Sequence, residues 1–101
     1  MIARIWHGRT KIEDYEEYTE LMITKAVPDY EKTAGFKKLS FLRNIEGNEG
    51  HFTLITYWED IKAIKKFAGE DYNIPKYYSE DKKFLLEFEN RVIHYEVFAE
   101  K

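Results

Sequence analysis

The chain has 101 residues, 16 basic and 19 acidic, with a formal net charge of −3 and no cysteine. The charge argues against nonspecific nucleic-acid binding, and the missing cysteines exclude disulfides, thiolate metal sites and a cysteine nucleophile. A 44% apolar fraction sets disorder aside and predicts one domain over residues 1–101, while 17% aromatics are more than one small core needs and point to a pocket or interface.

Ile2 to Arg9 is rich in β-formers and reads as a first strand. Thr10-Lys11-Ile12-Glu13 matches a capping box, in which the Thr hydroxyl and the Glu carboxylate bond the first free amides of a helix. Behind it Ile12, Tyr15, Met22 and Ala26 form one stripe, flanked by Tyr18 and Leu21, with acidic first turns that suit the helix dipole. Pro28 is expected to end or kink this helix near Val27, with a turn over Asp29 to Ala34 and release at Gly35.

Phe36 to Ile45 alternates as a second strand, with Leu39, Phe41 and Arg43 on one side and Lys38, Ser40 and Leu42 on the other. Glu46 to Gly50 reads as a hairpin loop, because two glycines and an Asn tolerate positive φ. From Phe52 to Phe67 the apolar period changes from two to about 3.6 at Trp58-Glu59-Asp60, so a strand from His51 to Trp58 hands over to a helix there. Asp60 is the expected N-cap, Ile61, Ile64 and Phe67 the apolar stripe, and Gly69 the stop. Glu70 to Asn90 is irregular: Pro75 breaks it, Ser79 or Asp81 could cap a single turn, and the whole stretch reads as a mobile lid over a pocket mouth. Arg91 to Ala99 returns to strand.

The order βαββαβ predicts a ferredoxin-like α+β sandwich, a four-stranded antiparallel sheet with both helices on one face. Both sheet faces carry apolar or aromatic residues, since Trp6 follows Ile5 and Trp58 follows Tyr57. Two short helices cover one face, so the other is expected to bind a second copy. The same element order builds RNA-recognition modules, and Gly50 to Ile55 faintly echoes their third strand. Glu49 stands where a basic residue is needed, and the aromatic spacing fails. No apolar run reaches a membrane span and no secretory leader is visible, so the expected location is the cytoplasm.

The opening Met-Ile-Ala-Arg-Ile-Trp-His-Gly-Arg-Thr, the element order and the strand ending in Tyr57-Trp58-Glu59 before a helix resemble the antibiotic-biosynthesis-monooxygenase superfamily from Ile2 to Val97. That resemblance implies a dimeric α+β barrel and oxygenation of a small aromatic phenol, anthrone or quinol without a cofactor. The alternative within the same fold is a non-catalytic or regulatory dimer that binds a small molecule. Trp58 matches the pocket-lining Trp of the superfamily, and His7 falls at the place of a strand-one Asn of its haem-degrading branch. That branch takes its iron ligand from a His beyond the second helix; Asn73 to Ser79 holds none, so haem is not expected to bind that way.

Direct oxygenation asks for a base, an oxyanion donor, a planar wall and exclusion of water. His7 and His94 are the candidate bases, placed opposite one another if the first strand begins beside the end of the last. Tyr77, Tyr78 or Arg9 would donate to the oxyanion, and Trp58 with Trp6 would form the wall. His51 reads as a solvated surface residue. No metal-ligand spacing is present, although Glu96 shares the face of His94, and no metal or other cofactor is expected.

Overall fold

Alternation carries the first strand further than its composition implied. In the computed structural model, which describes residues 1–101, β1 is Ile2–Lys11 and pairs antiparallel with β3 as far as Lys11 and Glu49. Thr10 therefore belongs to the ladder. Its side chain is fully buried and its hydroxyl donates to the Lys11 carbonyl, so the expected capping box does not form. A 3₁₀ turn, Ile12–Asp14, leads into α1, Tyr15–Leu21, whose start no side chain caps.

The helix then widens into a π turn, Met22–Ala26, and continues as α2, Val27–Glu31. Pro28 explains the widening: it has no amide hydrogen, and its ring would meet the carbonyl four residues back. The Val27 amide donates instead to the Met22 carbonyl, five residues back. Pro28 thus distorts the helix without ending it, and residues 29–31 are helical where a turn was expected. The underwound turn also moves the buried stripe to Tyr18, Met22, Ala26 and Tyr30, and Ile12 lies exposed outside it.

Two strands form the hairpin, β2 (Phe36–Glu46) and β3 (Glu49–Trp58), joined through Gly47-Asn48. Of the two turn residues only Gly47 has positive φ, +61°, as a type II′ turn demands at its first central residue. The strand-to-helix junction lies where the period changes: α3 is Ile61–Ala68, the Asp60 carboxylate accepts the Ala63 amide at 2.9 Å, and Gly69 follows the last turn. A single turn, α4 (Asp81–Phe84), and a short β4 (Ile93–Glu96) complete the chain. β4 is shorter than the expected strand because Val92 turns into the core and bonds Asn73.

The sheet order is β2-β3-β1-β4, all antiparallel, the expected ferredoxin-like α+β sandwich. Trp6, Phe52, Leu54 and Trp58 project from one face into a core shared with the helices, Phe84 and Leu85. No helix is long and apolar enough to cross a membrane. The stretch from Glu70 to Asn90 lies over this core: Asp81, Phe84 and Leu85 are buried, and Lys76 and Tyr78 reach back to Asp29.

Candidate active site

β1 and β4 pair with Arg4 opposite His94 and Ile5 opposite Ile93. His7 lies beyond the end of β4, and its odd position sends it to the open face, whereas His94 points to the helix side with Arg4. The expected His7–His94 pair does not exist, because register and parity both separate the rings. His94 instead accepts from the Arg4 guanidinium at 3.1 Å and packs edge-on against Tyr72. Burial first, and the Arg4 charge second, lower its pKa to about 4. At neutral pH it is an uncharged ring whose Nε2 is occupied. Glu96, opposite Ile2, is exposed at the sheet's end.

Arg4, which residue patterns did not single out, is 1% exposed and has no carboxylate partner. Its charge is spread over the carbonyls of Tyr72 and Ile74 and the His94 ring, and its Nε atom has no partner. Burial lowers its pKa, offset in part by Tyr30.

The expected wall of Trp58 and Trp6 is also divided. Trp58 is fully buried among Tyr30, Phe36 and Phe67, and its indole N–H donates to Thr56 at 2.9 Å. It is a core residue with no free surface. Trp6 lies further along β1, where Gly8 makes room: a Cβ on Gly8 would fall 2.4 Å from the Trp6 ring. The Trp6 indole N–H is buried and has no partner.

Around Trp6 the core becomes polar. The Tyr18 hydroxyl donates to Asp81 Oδ1 at 2.9 Å, and the Tyr78 amide donates to Asp81 Oδ2 at 2.7 Å. Asp81 is 1% exposed, and burial raises its pKa against those two donors. Burial, reinforced by Asp81, holds the Tyr18 phenol far above the ordinary tyrosine range. The Tyr78 hydroxyl donates to Asp29 at 2.6 Å, alongside Lys76 at 2.8 Å. Burial pushes the Asp29 carboxyl up, but those donors outweigh it and leave it lowered.

Tyr77 stacks edge-on against Trp6 and donates to the Glu89 carbonyl; burial raises its pKa to about 12. Tyr77 and Tyr78 therefore border the site with both hydroxyls engaged. Arg9 does not: it sits on the open face, bonded to Glu49 and Glu87.

The crevice bounded by Trp6, Tyr18, Tyr78 and Asp81 holds about 10 Å³ of free volume. Beyond Met22 and Leu54, which line both spaces, lies an apolar groove of about 160 Å³ between the π turn and β2–β3. Phe41 and Phe52 form its floor, with Thr19 and Arg43 at its edge. An apolar cavity of about 150 Å³ is known to hold benzene, so this groove suits one small ring. Met22 and Leu54 stand between groove and crevice, and Met22 is the adaptable one of the two. It is unbranched and seated at the start of the π turn, a distortion frequent at functional sites.

No three metal-ligating side chains converge in the structure. Haem does not fit either. The aromatic-lined groove is far smaller than a macrocycle requires, no His follows α3 until His94, and Arg4 already occupies the His94 nitrogen.

No protein-family model matches the chain, and no curated protein matches its sequence. Solved structures do match its fold. MhuD, a heme-degrader from Mycobacterium tuberculosis with two hemes bound in its active site, is 17% identical, with a TM-score of 0.67 over 100% of this chain and 99% of that one. A Bacillus cereus protein that carries the name antibiotic biosynthesis monooxygenase is 17% identical, with a TM-score of 0.65 over 99% and 95%. A point mutant of MhuD with two manganese protoporphyrin IX molecules per active site is 16% identical, with a TM-score of 0.63 over 100% and 98%. The chain has the antibiotic-biosynthesis-monooxygenase type of fold along its whole length.

Proposed function

We propose that the protein is a cofactor-independent monooxygenase of a small aromatic phenol, anthrone or quinol, with the substrate ring in the groove beside Met22. The observation that carries this reading is a crevice that is lined by Trp6, whose buried N–H is unpartnered, and by buried Asp81, and that shares Met22 and Leu54 with a ring-sized apolar groove. A rotamer change of Met22 joins the two spaces. The Asp81 carboxylate then takes a proton from the activated carbon, and its raised pKa makes it a stronger base than an ordinary aspartate. The Trp6 N–H donates to the oxyanion, a role that Tyr18 supports by holding Asp81. Dioxygen adds to the carbanion; for an anthrone CH₂ one oxygen stays as the carbonyl and the other leaves as water. His7 and His94 have no part in this reading, which replaces them with Asp81.

The alternative, a non-catalytic small-molecule-binding dimer, is favoured by the groove as it stands, since Arg43 is the one titratable group on its border. Dioxygen uptake separates the two. With an anthrone and no additive, uptake and quinone formation are expected to exceed the buffer rate and to fall about 100-fold or more in Asp81→Asn. Binding without uptake would favour the alternative, and wild-type turnover by Asp81→Asn would end the assignment of the base.

The active form in this reading is a cytoplasmic homodimer joined through the open sheet face. Leu42, Ile93 and Tyr95 project there and are 50%, 54% and 55% exposed. A monomeric mass by light scattering at micromolar concentration would contradict it.

A further inference from the structure

On the open face, away from the proposed reaction site, two imidazoles face each other. His7 Nε2 lies 3.2 Å from His51 Nδ1, and their ring centroids are 5.4 Å apart. The groups on the outer nitrogens fix how this contact can be made. Glu89 sits 2.5 Å from His7 Nδ1, so that nitrogen carries the proton and Nε2 presents a lone pair. Without an ion the two inner nitrogens stand at hydrogen-bond distance, with His51 Nδ1–H donating to His7 Nε2. His51 Nε2 faces the carboxylates of Glu49 and Glu46 at 3.7 and 3.9 Å, so a proton moved to that nitrogen lies on the acidic side and frees Nδ1 as a second lone pair. A metal ion set to one side of the line joining the two inner nitrogens, taking a lone pair from each, can replace the proton between them.

We propose that His7 Nε2 and His51 Nδ1 together bind a late first-row divalent transition-metal ion. Two imidazole nitrogens on one such ion, each at about 2.0–2.1 Å, stand about 2.9–3.4 Å apart, which matches the gap already present. A carboxylate on the far nitrogen of a ligating His is the usual outer support: it fixes the tautomer and raises the ring's basicity. Glu89 supplies it for His7, and Glu49 and Glu46 stand in that position for His51. In the single chain both rings are accessible, with side-chain exposures of 36% and 21%. No third protein ligand converges, so the remaining positions go to water or to the same two imidazoles of a second copy. His94 cannot take part, because it lies on the opposite face against Arg4.

Cu²⁺ is the probe of choice, being the tightest-binding of the series at nitrogen sites. Titration of the metal-free protein is expected to load one Cu²⁺ per chain, or one per two chains where a second copy completes the site. Electron paramagnetic resonance should show hyperfine splitting from imidazole nitrogen. His7→Ala or His51→Ala should abolish stoichiometric binding, Glu89→Gln should weaken it about 10- to 100-fold, and His94→Ala should leave it unchanged. In the wild-type protein, substoichiometric Cu²⁺ should broaden the His7 and His51 ring resonances and spare His94, a readout that needs no variant. Binding that survives loss of both His7 and His51, or broadening centred elsewhere, would overturn the site.

Discussion

On the helix side of β1 and β3, Trp6, Thr10, Phe52, Leu54 and Trp58 are buried, and the polar atoms among them have bonded partners apart from the Trp6 N–H. On the other side of the same strands His7, Arg9 and His51 remain partly exposed and pair with carboxylates. One strand serves both environments because successive side chains alternate. A polar group on the helix side must find a buried partner, since leaving it unpaired costs about 1–3 kcal/mol. On the open side the same group exchanges partners with water. The proposed functions divide accordingly, with the reaction site assigned to the covered face and association and ion binding to the open one.

Four single substitutions, one of them also combined with Tyr18→Phe, press on this contrast. The largest effect is expected for Trp58→Ala, which empties the centre of the aromatic core and should cost about 3–5 kcal/mol in urea unfolding; a loss below about 1 kcal/mol would mean the covered face is loosely packed. Asp81→Ala comes next, at about 2–4 kcal/mol, because it leaves the Tyr18 hydroxyl and the Tyr78 amide buried without an acceptor. Adding Tyr18→Phe should restore part of that loss, which a double-mutant cycle would read directly.

The third effect is a pH slope. His94 titrates near 4 in the folded chain, against an ordinary 6.5. Between those values the unfolded chain holds more protons, so this contribution is fully present above pH 6.5 and is lost as the pH falls toward 4. Solvent screening of this partly exposed ring reduces it to about 1 kcal/mol. The raised Asp81 carboxyl works with the opposite sign, losing its contribution as the pH rises through its folded pKa. The difference between wild type and His94→Gln isolates the imidazole, and identical slopes would refute the assignment. The smallest effect is expected for His51→Ala without metal, within about 0.5 kcal/mol, as for other partly exposed sites.

The parts of this arrangement that were legible in the sequence are those governed by neighbouring residues. The change of period at Trp58, the Asp60 cap and the Gly69 stop all depend on contacts within one turn. The register of β1 against β4 depends on no turn between them, since 81 residues separate Ile2–Lys11 from Ile93–Glu96. A four-residue strand carries too little pattern to set it, and the His7–His94 pairing failed for that reason. Asp81 was legible only as a helix cap. Its partner Tyr18 is 63 residues away, just as Tyr78 finds Asp29 over 49 residues, and no local pattern announces such bonds. His51 looked like a solvated residue because its partner on the sheet is set by the β1–β3 register alone.

In the proposed function a small aromatic ring binds on the covered face, against Met22 and within reach of the Trp6 N–H. The two indole N–H groups provide a direct test by proton–nitrogen correlation spectroscopy during titration with an anthrone under anaerobic conditions. Trp6 has a free N–H and Trp58 is bonded to Thr56, so the Trp6 signal is expected to move downfield while that of Trp58 stays in place. A stationary Trp6 signal, with shifts confined to His7, His51 and the open face, would rule out binding on the covered face.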